Sequence, residues 1–155
     1  MLGAMPASPK ERVYVSAFLC DNLLTEADGV ISAIRLVDVH NVVLPTPEAL
    51  KTFRIEGFLV VLFKSEASHE LVVDVRIVSP TGGIIGPQRH RVSLAGGNTG
   101  KVLNVRVLLV APEAGNYWFE ILIGDEIVQR TPMQVNFVEQ PAKQEPQGLD
   151  DQESR

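Results

Sequence analysis

Apolar and polar residues alternate with a period of two along most of this chain, and that pattern predicts β-strands. It is clearest in two stretches. From Glu70 to Pro80, Val73 faces one way and Arg76 the other, and from Lys101 to Val110, Val105 faces one way and Arg106 the other. The remaining predicted strands are Val13–Leu24, Val30–Val43, Phe53–Lys64, Arg89–Leu94, Tyr117–Ile123, Glu126–Arg130 and, after Pro132, Met133–Val138. Because proline cannot donate a ladder hydrogen bond, Pro132 marks a sheet edge or a switch between sheets.

The stretch from Ala111 to Val135 contains the strongest turn signals. Gly124-Asp125 predicts a two-residue hairpin with glycine at the position that needs φ > 0. The preceding turn, with a proline and a glycine, delivers Tyr117 at the start of a late strand. β-Sandwiches form their tyrosine corner in this way.

About eight strands without intervening helices predict an all-β fold, an antiparallel β-sandwich of two packed sheets. One short helical turn could begin at Pro47, with Thr46 as its cap. The expected organisation is a flexible arm over residues 1–12, a single sandwich domain over residues 13–138, and a disordered acidic tail over residues 139–155.

Composition narrows the function classes. The chain is 45% hydrophobic and 21% charged, with a net charge of −5, so it has no basic field to attract nucleic acid. Its single cysteine, Cys20, cannot form an internal disulfide. The first twelve residues lack the apolar run of a signal peptide, and no stretch is long and apolar enough to span a bilayer. A cytoplasmic protein is therefore expected.

Two parts of the chain resemble a known family. The segment A-F-L-C-D-N, followed by T-E-A-D-G-V-I-S-A-I-R-L-V-D, is similar to the opening of an uncharacterised family of bacterial proteins, a domain of unknown function. The segments E-L-V-V-D-V-R-I-V-S-P-T-G and A-G-N-Y-W-F-E-I-L-I-G-D-E-I-V resemble strands of immunoglobulin-like bacterial modules. The resemblance covers Val13 to Val138 and implies an immunoglobulin-like sandwich without an assigned activity. The Cys…Trp…Cys core of antibody domains is missing, since Trp118 is out of phase with Tyr117 and Phe119.

Residues with catalytic or metal-binding chemistry are scattered. If Val30–Val43 is one strand returning from the first hairpin, Asp21 pairs near Arg35, and His40 lies roughly 17–23 Å from Asp21. Cys20 is expected to be a buried small hydrophobe, and His40, His69 and His90 to be surface polar residues. No metal set, cofactor site or nucleophile–base pair is predicted, so we do not expect an enzyme.

Two apolar features suggest contacts instead. Phe58 to Phe63 is apolar on both faces of its strand, which places Phe58, Val60 and Leu62 opposite the core-facing side chains. Trp118 is predicted to be partly exposed. The leading hypothesis is a non-catalytic module that binds another protein, or itself, through a sheet face or edge. The alternative is a module for a small ligand or carbohydrate that stacks on Trp118. The competing structural interpretation is that the N-terminal arm or the Pro45–Leu50 loop covers the apolar strand.

Overall fold

A computed structural model describes residues 12–44, 49 and 52–139. Within these ranges the chain forms strands and no α-helix. The described strands are β1 (Val13–Thr25), β2 (Ile31–Leu36), β3 (Val39–Leu44), β4 (Arg54–Ser65), β5 (His69–Val78), β6 (Ile84–Leu94), β7 (Lys101–Val110), β8 (Gly115–Ile123) and β9 (Glu126–Glu139). The expected arm and tail, apart from their innermost residues, and the expected helical turn at Pro47 lie outside the described residues.

The strands form two sheets, as the all-β prediction requires. The four-stranded sheet has the order β2-β1-β4-β7, and the five-stranded sheet has the order β3-β9-β8-β5-β6. All described pairs are antiparallel except β3 with β9, which is parallel. Consecutive strands cross repeatedly from one sheet to the other, and the two sheets together form a β-sandwich.

The core lies between the sheets and is built from alternate residues of the central strands. On β4 these are Leu59, Val61 and Phe63, all buried, and on β8 they are Tyr117, Phe119 and Ile121. Alternation places the intervening residues of β4 and β8 on the two outer faces of the sandwich. On both strands the inward side chains are therefore packed in the core, and only the outward side chains are free to contact other molecules.

The hairpin between β8 and β9 agrees with its prediction. Ile123 pairs with Glu126, so Gly124 and Asp125 are the two loop residues, and Gly124 has φ of 62°. β9 continues past Pro132 as one strand, whereas two separate strands were predicted. Pro132 is tolerated because β3 joins β9 only from Gln134 onward, so β9 is locally an edge at the proline.

Two strand boundaries were predicted wrongly. Val30–Val43 is not one strand: β2 ends at Leu36, and β3 begins at Val39 in the other sheet. Arg35 has a positive φ of 55°, and Val37 turns into the core between the sheets. β6 also begins at Ile84, five residues before the predicted Arg89.

The tyrosine corner is present. Tyr117 is fully buried, and its hydroxyl donates a 2.9 Å hydrogen bond to the carbonyl of Glu113, four residues upstream. The bond fastens the β7–β8 connection to the core. Burial raises the pKa of Tyr117 despite this bond, so the neutral hydroxyl is the form that donates.

Replacing Tyr117 by phenylalanine is therefore expected to lower the free energy of unfolding by about 1–2 kcal/mol, because the carbonyl of Glu113 loses its partner. Urea unfolding followed by circular dichroism measures this loss. An unchanged midpoint would show that the corner contributes nothing to stability.

Candidate functional site

The outer side of β4 carries the apolar residues that the sequence singled out. Phe58, Val60 and Leu62 alternate with the core residues of the same strand, so they face away from the five-stranded sheet. Leu62 is exposed and Phe58 half-buried. Val60 is buried although it lies on an outer face, because Phe18 and Asn104 flank it on the two neighbouring strands.

Neighbouring strands extend this surface. The register places Val102 of β7 beside Leu62, and Phe18 of β1 beside Val60. Farther out, Tyr14 and Leu108 are both more than half exposed. We refer to these residues together as the apolar face: Tyr14, Phe18, Phe58, Val60, Leu62, Val102 and Leu108.

The apolar face has neutral polar groups beside its centre and charges at its ends. Ser16 and Asn104 are the exposed neutral groups next to Leu62 and Val60. Glu56 lies toward one end of β4 and accepts a hydrogen bond from Arg106 at 3.3 Å. Lys64 lies at the other end, opposite Tyr14. Arg106 itself lies on β7 beside Phe58.

Trp118 lies on the opposite side of the sandwich, on the outer face of the five-stranded sheet. It is half-buried, and the guanidinium of Arg130 lies 4.7 Å from the centroid of its ring. A ligand that stacked on this side of the ring would have to displace Arg130. The structure therefore does not bring Trp118 together with Phe58, Val60 and Leu62.

Ion pairs occupy the surface around Trp118. The carboxylate of Glu120 is only 5% exposed and accepts hydrogen bonds from Arg76 at 2.8 Å and Arg130 at 3.0 Å. Arg89 makes a two-point contact with Asp74, and these hydrogen bonds lower the pKa of that carboxyl. The cations near Trp118 thus have partners within the same sheet.

A small cavity brings together three residues that were expected to lie apart. Cys20, Asp21 and His40 all line a space of about 10 Å³, which is room for about one water. The expected separation of Asp21 and His40 is therefore wrong, because β3 crosses to the other sheet and returns toward β1. The predicted pairing of Asp21 with Arg35 is confirmed, at 3.0 Å.

Burial favours the neutral forms of Cys20 and His40 in this cavity. Cys20 is buried, as expected, and burial raises the pKa of its thiol, an effect that the charge of Asp21 increases. Burial likewise lowers the pKa of His40, with Asp21 opposing the shift. A thiol with a raised pKa is a poor nucleophile at neutral pH.

The histidines are not the surface residues that were expected. His40, His69 and His90 are each half-buried. The Nε2 atoms of His69 and His90 are buried without a hydrogen-bond partner among the described residues. These two residues lie on the core side of β5 and β6. The signal for this was alternation, which places His69 on the same side as Leu71 and His90 on the same side as Val92. No group of three or more metal-ligand side chains lies close enough to hold a metal within the part of the chain that the structure describes.

Sequence reasoning missed a groove beside the apolar face. It has a volume of about 320 Å³ and lies where the chain leaves β2 for β3, between β1 and β9. Phe18, Leu36 and Pro132 supply most of its apolar lining, and Asp38 and Thr131 supply polar groups. Leu36 is 68% exposed. Phe18 belongs to both the groove and the apolar face, so the two are continuous.

Among the described residues, no helix has the length and apolar character needed to cross a bilayer.

Comparisons with known proteins return structural likenesses. No family model matches the chain, and no curated protein matches it. A β-glucosidase from Listeria innocua aligns over 83% of this chain with 13% identity and a TM-score of 0.48. The β-glucosidase 3B from Thermotoga neapolitana aligns over 78% with 13% identity and a TM-score of 0.38. The chain spans 16% of the length of each of these enzymes.

Proposed function

We propose that this protein is a non-catalytic module that binds a protein through the outer face of its four-stranded sheet. The observation that carries the proposal is the apolar face itself. Its side chains are contiguous across three strands, and Tyr14, Leu62, Val102 and Leu108 are exposed. Contiguous apolar patches of this kind are typical of protein-contact surfaces.

The physical driving force is burial of this surface. Each square ångström of apolar surface removed from water contributes roughly 25 cal/mol. The inner side of the same strands already packs against the core. The exposed apolar side chains on the outer side still contact water, so covering them would release further free energy. Val60 and the half-buried Phe58 hold its centre in place before a partner arrives, which limits the ordering cost of binding.

The contrast between the two outer faces supports the choice of surface. On the five-stranded sheet, Glu120 and Asp74 form ion pairs with the neighbouring arginines, and the side chains of Arg89 and Arg130 are 73% and 49% exposed. On the four-stranded sheet, the central positions are Phe18, Val60 and Leu62. Desolvating charged pairs opposes association, whereas desolvating apolar side chains favours it.

The groove adds a place for an anchoring side chain. Binding energy in protein interfaces is concentrated in a few side chains that fill pockets near the contact. The groove opens beside Phe18 at the edge of the apolar face and is large enough for an aromatic side chain. A partner lying across β1 and β4 could therefore insert one residue next to Leu36.

A matched pair of substitutions tests the proposal. Leu62 on the apolar face is 39% exposed, and Val72 on the outer face of the five-stranded sheet is 45% exposed. We expect Leu62→Asp to reduce cross-linking of the tagged protein to its partners in the native host at least tenfold, because a charge is placed in the contact. Quantitative mass spectrometry of the cross-linked products, with second copies of the chain counted as partners, measures this.

Val72→Asp is the control and should leave the cross-linked products unchanged. Both variants must retain the melting temperature of the wild type to within a few degrees. Equal losses in the two variants, or equal retention, would contradict binding through the apolar face.

A further inference from the structure

The charges along the outer side of β4 follow an order that fits a second copy of this chain. Outward positions read Arg54, Glu56, Phe58, Val60, Leu62 and Lys64, and Glu66 follows directly after the strand. The apolar residues thus lie between a positive–negative pair at one end and another positive–negative pair at the other. Arg54, Glu56, Lys64 and Glu66 are all exposed.

This order is self-complementary when two strands oppose each other in antiparallel orientation. If Val60 of one copy lies over Val60 of the other, Phe58 lies over Leu62. Glu56 then lies over Lys64, and Arg54 lies over Glu66. Along β4, every charge then meets one of opposite sign, and every apolar residue meets an apolar residue. On β7, the same axis places Arg106 of one copy over Val102 of the other. Oppositely charged positions at an interface favour one partner and one register over others.

We propose that two copies of this chain pack face to face through the apolar face, related by a two-fold axis that crosses the strands at Val60. The inference deepens the proposed function and rests on it, since it names the protein that the face binds. The same patch serves both copies, as in the isologous contacts of most symmetric dimers. Sheets packed in this way lie about 10 Å apart, like the two sheets within one sandwich.

The dimensions of the surface agree with this partner. The three strands that carry the apolar face, spaced at about 4.8 Å over the length of β4 at about 3.3 Å per residue, cover a flat area of roughly 570 Å². Specific protein–protein interfaces remove about 600–1,000 Å² of accessible surface from each partner. Side chains that protrude from the sheet raise its accessible area above the flat value, so the face has the size of the smaller specific interfaces.

The neutral polar groups do not oppose the arrangement. Asn104 lies beside Val60, so the axis places it over Asn104 of the second copy, where the two amides are able to bind each other or water. Ser16 is exposed beside Leu62 and is able to bind water at the contact. Glu56 already accepts a hydrogen bond from Arg106, but both side chains are more than half exposed, so this pair leaves the carboxylate accessible to Lys64 of a second copy.

Charge reversal and its compensation test the inference on the full-length protein. Sedimentation equilibrium at low salt should show a dimer for the wild type. Lys64→Glu and Glu56→Lys should each raise the dimer dissociation constant at least about tenfold, because each places like charges together twice in the symmetric contact. The double variant Glu56→Lys/Lys64→Glu restores opposite charges and should return the constant to within about fivefold of wild type.

The matched control for these reversals is Asp125→Lys, which changes the charge of the β8–β9 loop and should leave the dissociation constant unchanged. If the protein is a monomer at concentrations of about 100 µM, the inference is overturned. The apolar face would then be covered by a different protein or by this chain's own terminal residues. A dimer that the reversals do not weaken, or that the double variant does not restore, overturns it too.

Failure of this test is distinguishable from failure of the proposed function. If the protein is a monomer, and its cross-linking to other proteins is lost in Leu62→Asp but kept in Val72→Asp, the apolar face binds a protein other than a second copy. If the protein is a monomer and its cross-linking is the same in the two variants, both the dimer and the proposed function are contradicted.

Discussion

Replacing Phe119 by alanine is expected to lower the free energy of unfolding by about 3–5 kcal/mol, which is a large share of the stability of a typical domain. Phe119 is fully buried on the inner side of β8, where it pairs with Ile77 of β5 and Thr131 of β9. It also lines a 60 Å³ cleft that opens between β6 and β7. The cavity left by the missing ring would join this cleft.

The adjacent residue provides the control. Trp118 is larger than Phe119 but faces outward, where it is half-buried and packs against Arg130. Trp118→Ala should therefore lower the free energy of unfolding by only about 1–2 kcal/mol, from the lost cation–π contact and partial burial. Urea unfolding followed by circular dichroism compares the two, because Trp118 is the only tryptophan and its variant has no fluorescence signal. Equal losses would show that the outer side of β8 is packed as tightly as the core.

Local patterns were sufficient to predict most strands and the inner side of the sandwich. Every second residue is apolar from Leu71 to Ile77 in β5, from Leu103 to Leu109 in β7 and from Tyr117 to Ile123 in β8, and these inward residues form or pack against the core. The hairpin at Gly124 and the hydrogen bond of Tyr117 follow from short turn signals that depend on neighbouring residues only. These features could be predicted because their causes lie within a few residues of sequence.

The separation of β2 from β3 could not be predicted in the same way. The segment from Ile31 to Val43 is rich in β-branched and other apolar residues, and no proline or glycine marks a break. The chain changes sheets at Val37 because β3 pairs with β9, almost a hundred residues later. Strand identity at this point is set by tertiary pairing rather than by intrinsic preference. The error carried over to the site, since it placed Asp21 and His40 far apart.

The candidate contact surface was predicted in part. A strand that is apolar on both sides showed that Phe58, Val60 and Leu62 need a second cover, but the sequence did not show which strands flank them. Phe18 and Val102 join the surface through the register of β1 and β7 on β4. Trp118 was grouped with these residues because strand order was unknown. Trp118 lies instead on the other sheet, whose outer face carries ion pairs, whereas the face around Val60 is apolar.

The largest backbone effect is expected at the contact between the β4–β5 and β6–β7 turns. Gly96 has φ of 82°, and a Cβ added there would lie 2.8 Å from the carbonyl oxygen of Glu66 and 3.0 Å from the carbonyl carbon of Ala67. Both are backbone atoms and cannot rotate away. Gly97 and Asn98 donate backbone hydrogen bonds to Glu66 and Ser65, at 2.8 and 3.1 Å, so the two turns are joined at this point.

Gly96→Ala is therefore expected to lower the free energy of unfolding by about 2–5 kcal/mol, through backbone strain together with overpacking. Gly97→Ala is the matched control. Its φ of 64° is also positive, but no atom lies within 4 Å of an added Cβ, so only the strain of about 1–2 kcal/mol applies. Urea midpoints at constant slope measure the difference. If the two alanine variants lose the same stability, the turns are not in close contact, and strain at positive φ accounts for the whole effect.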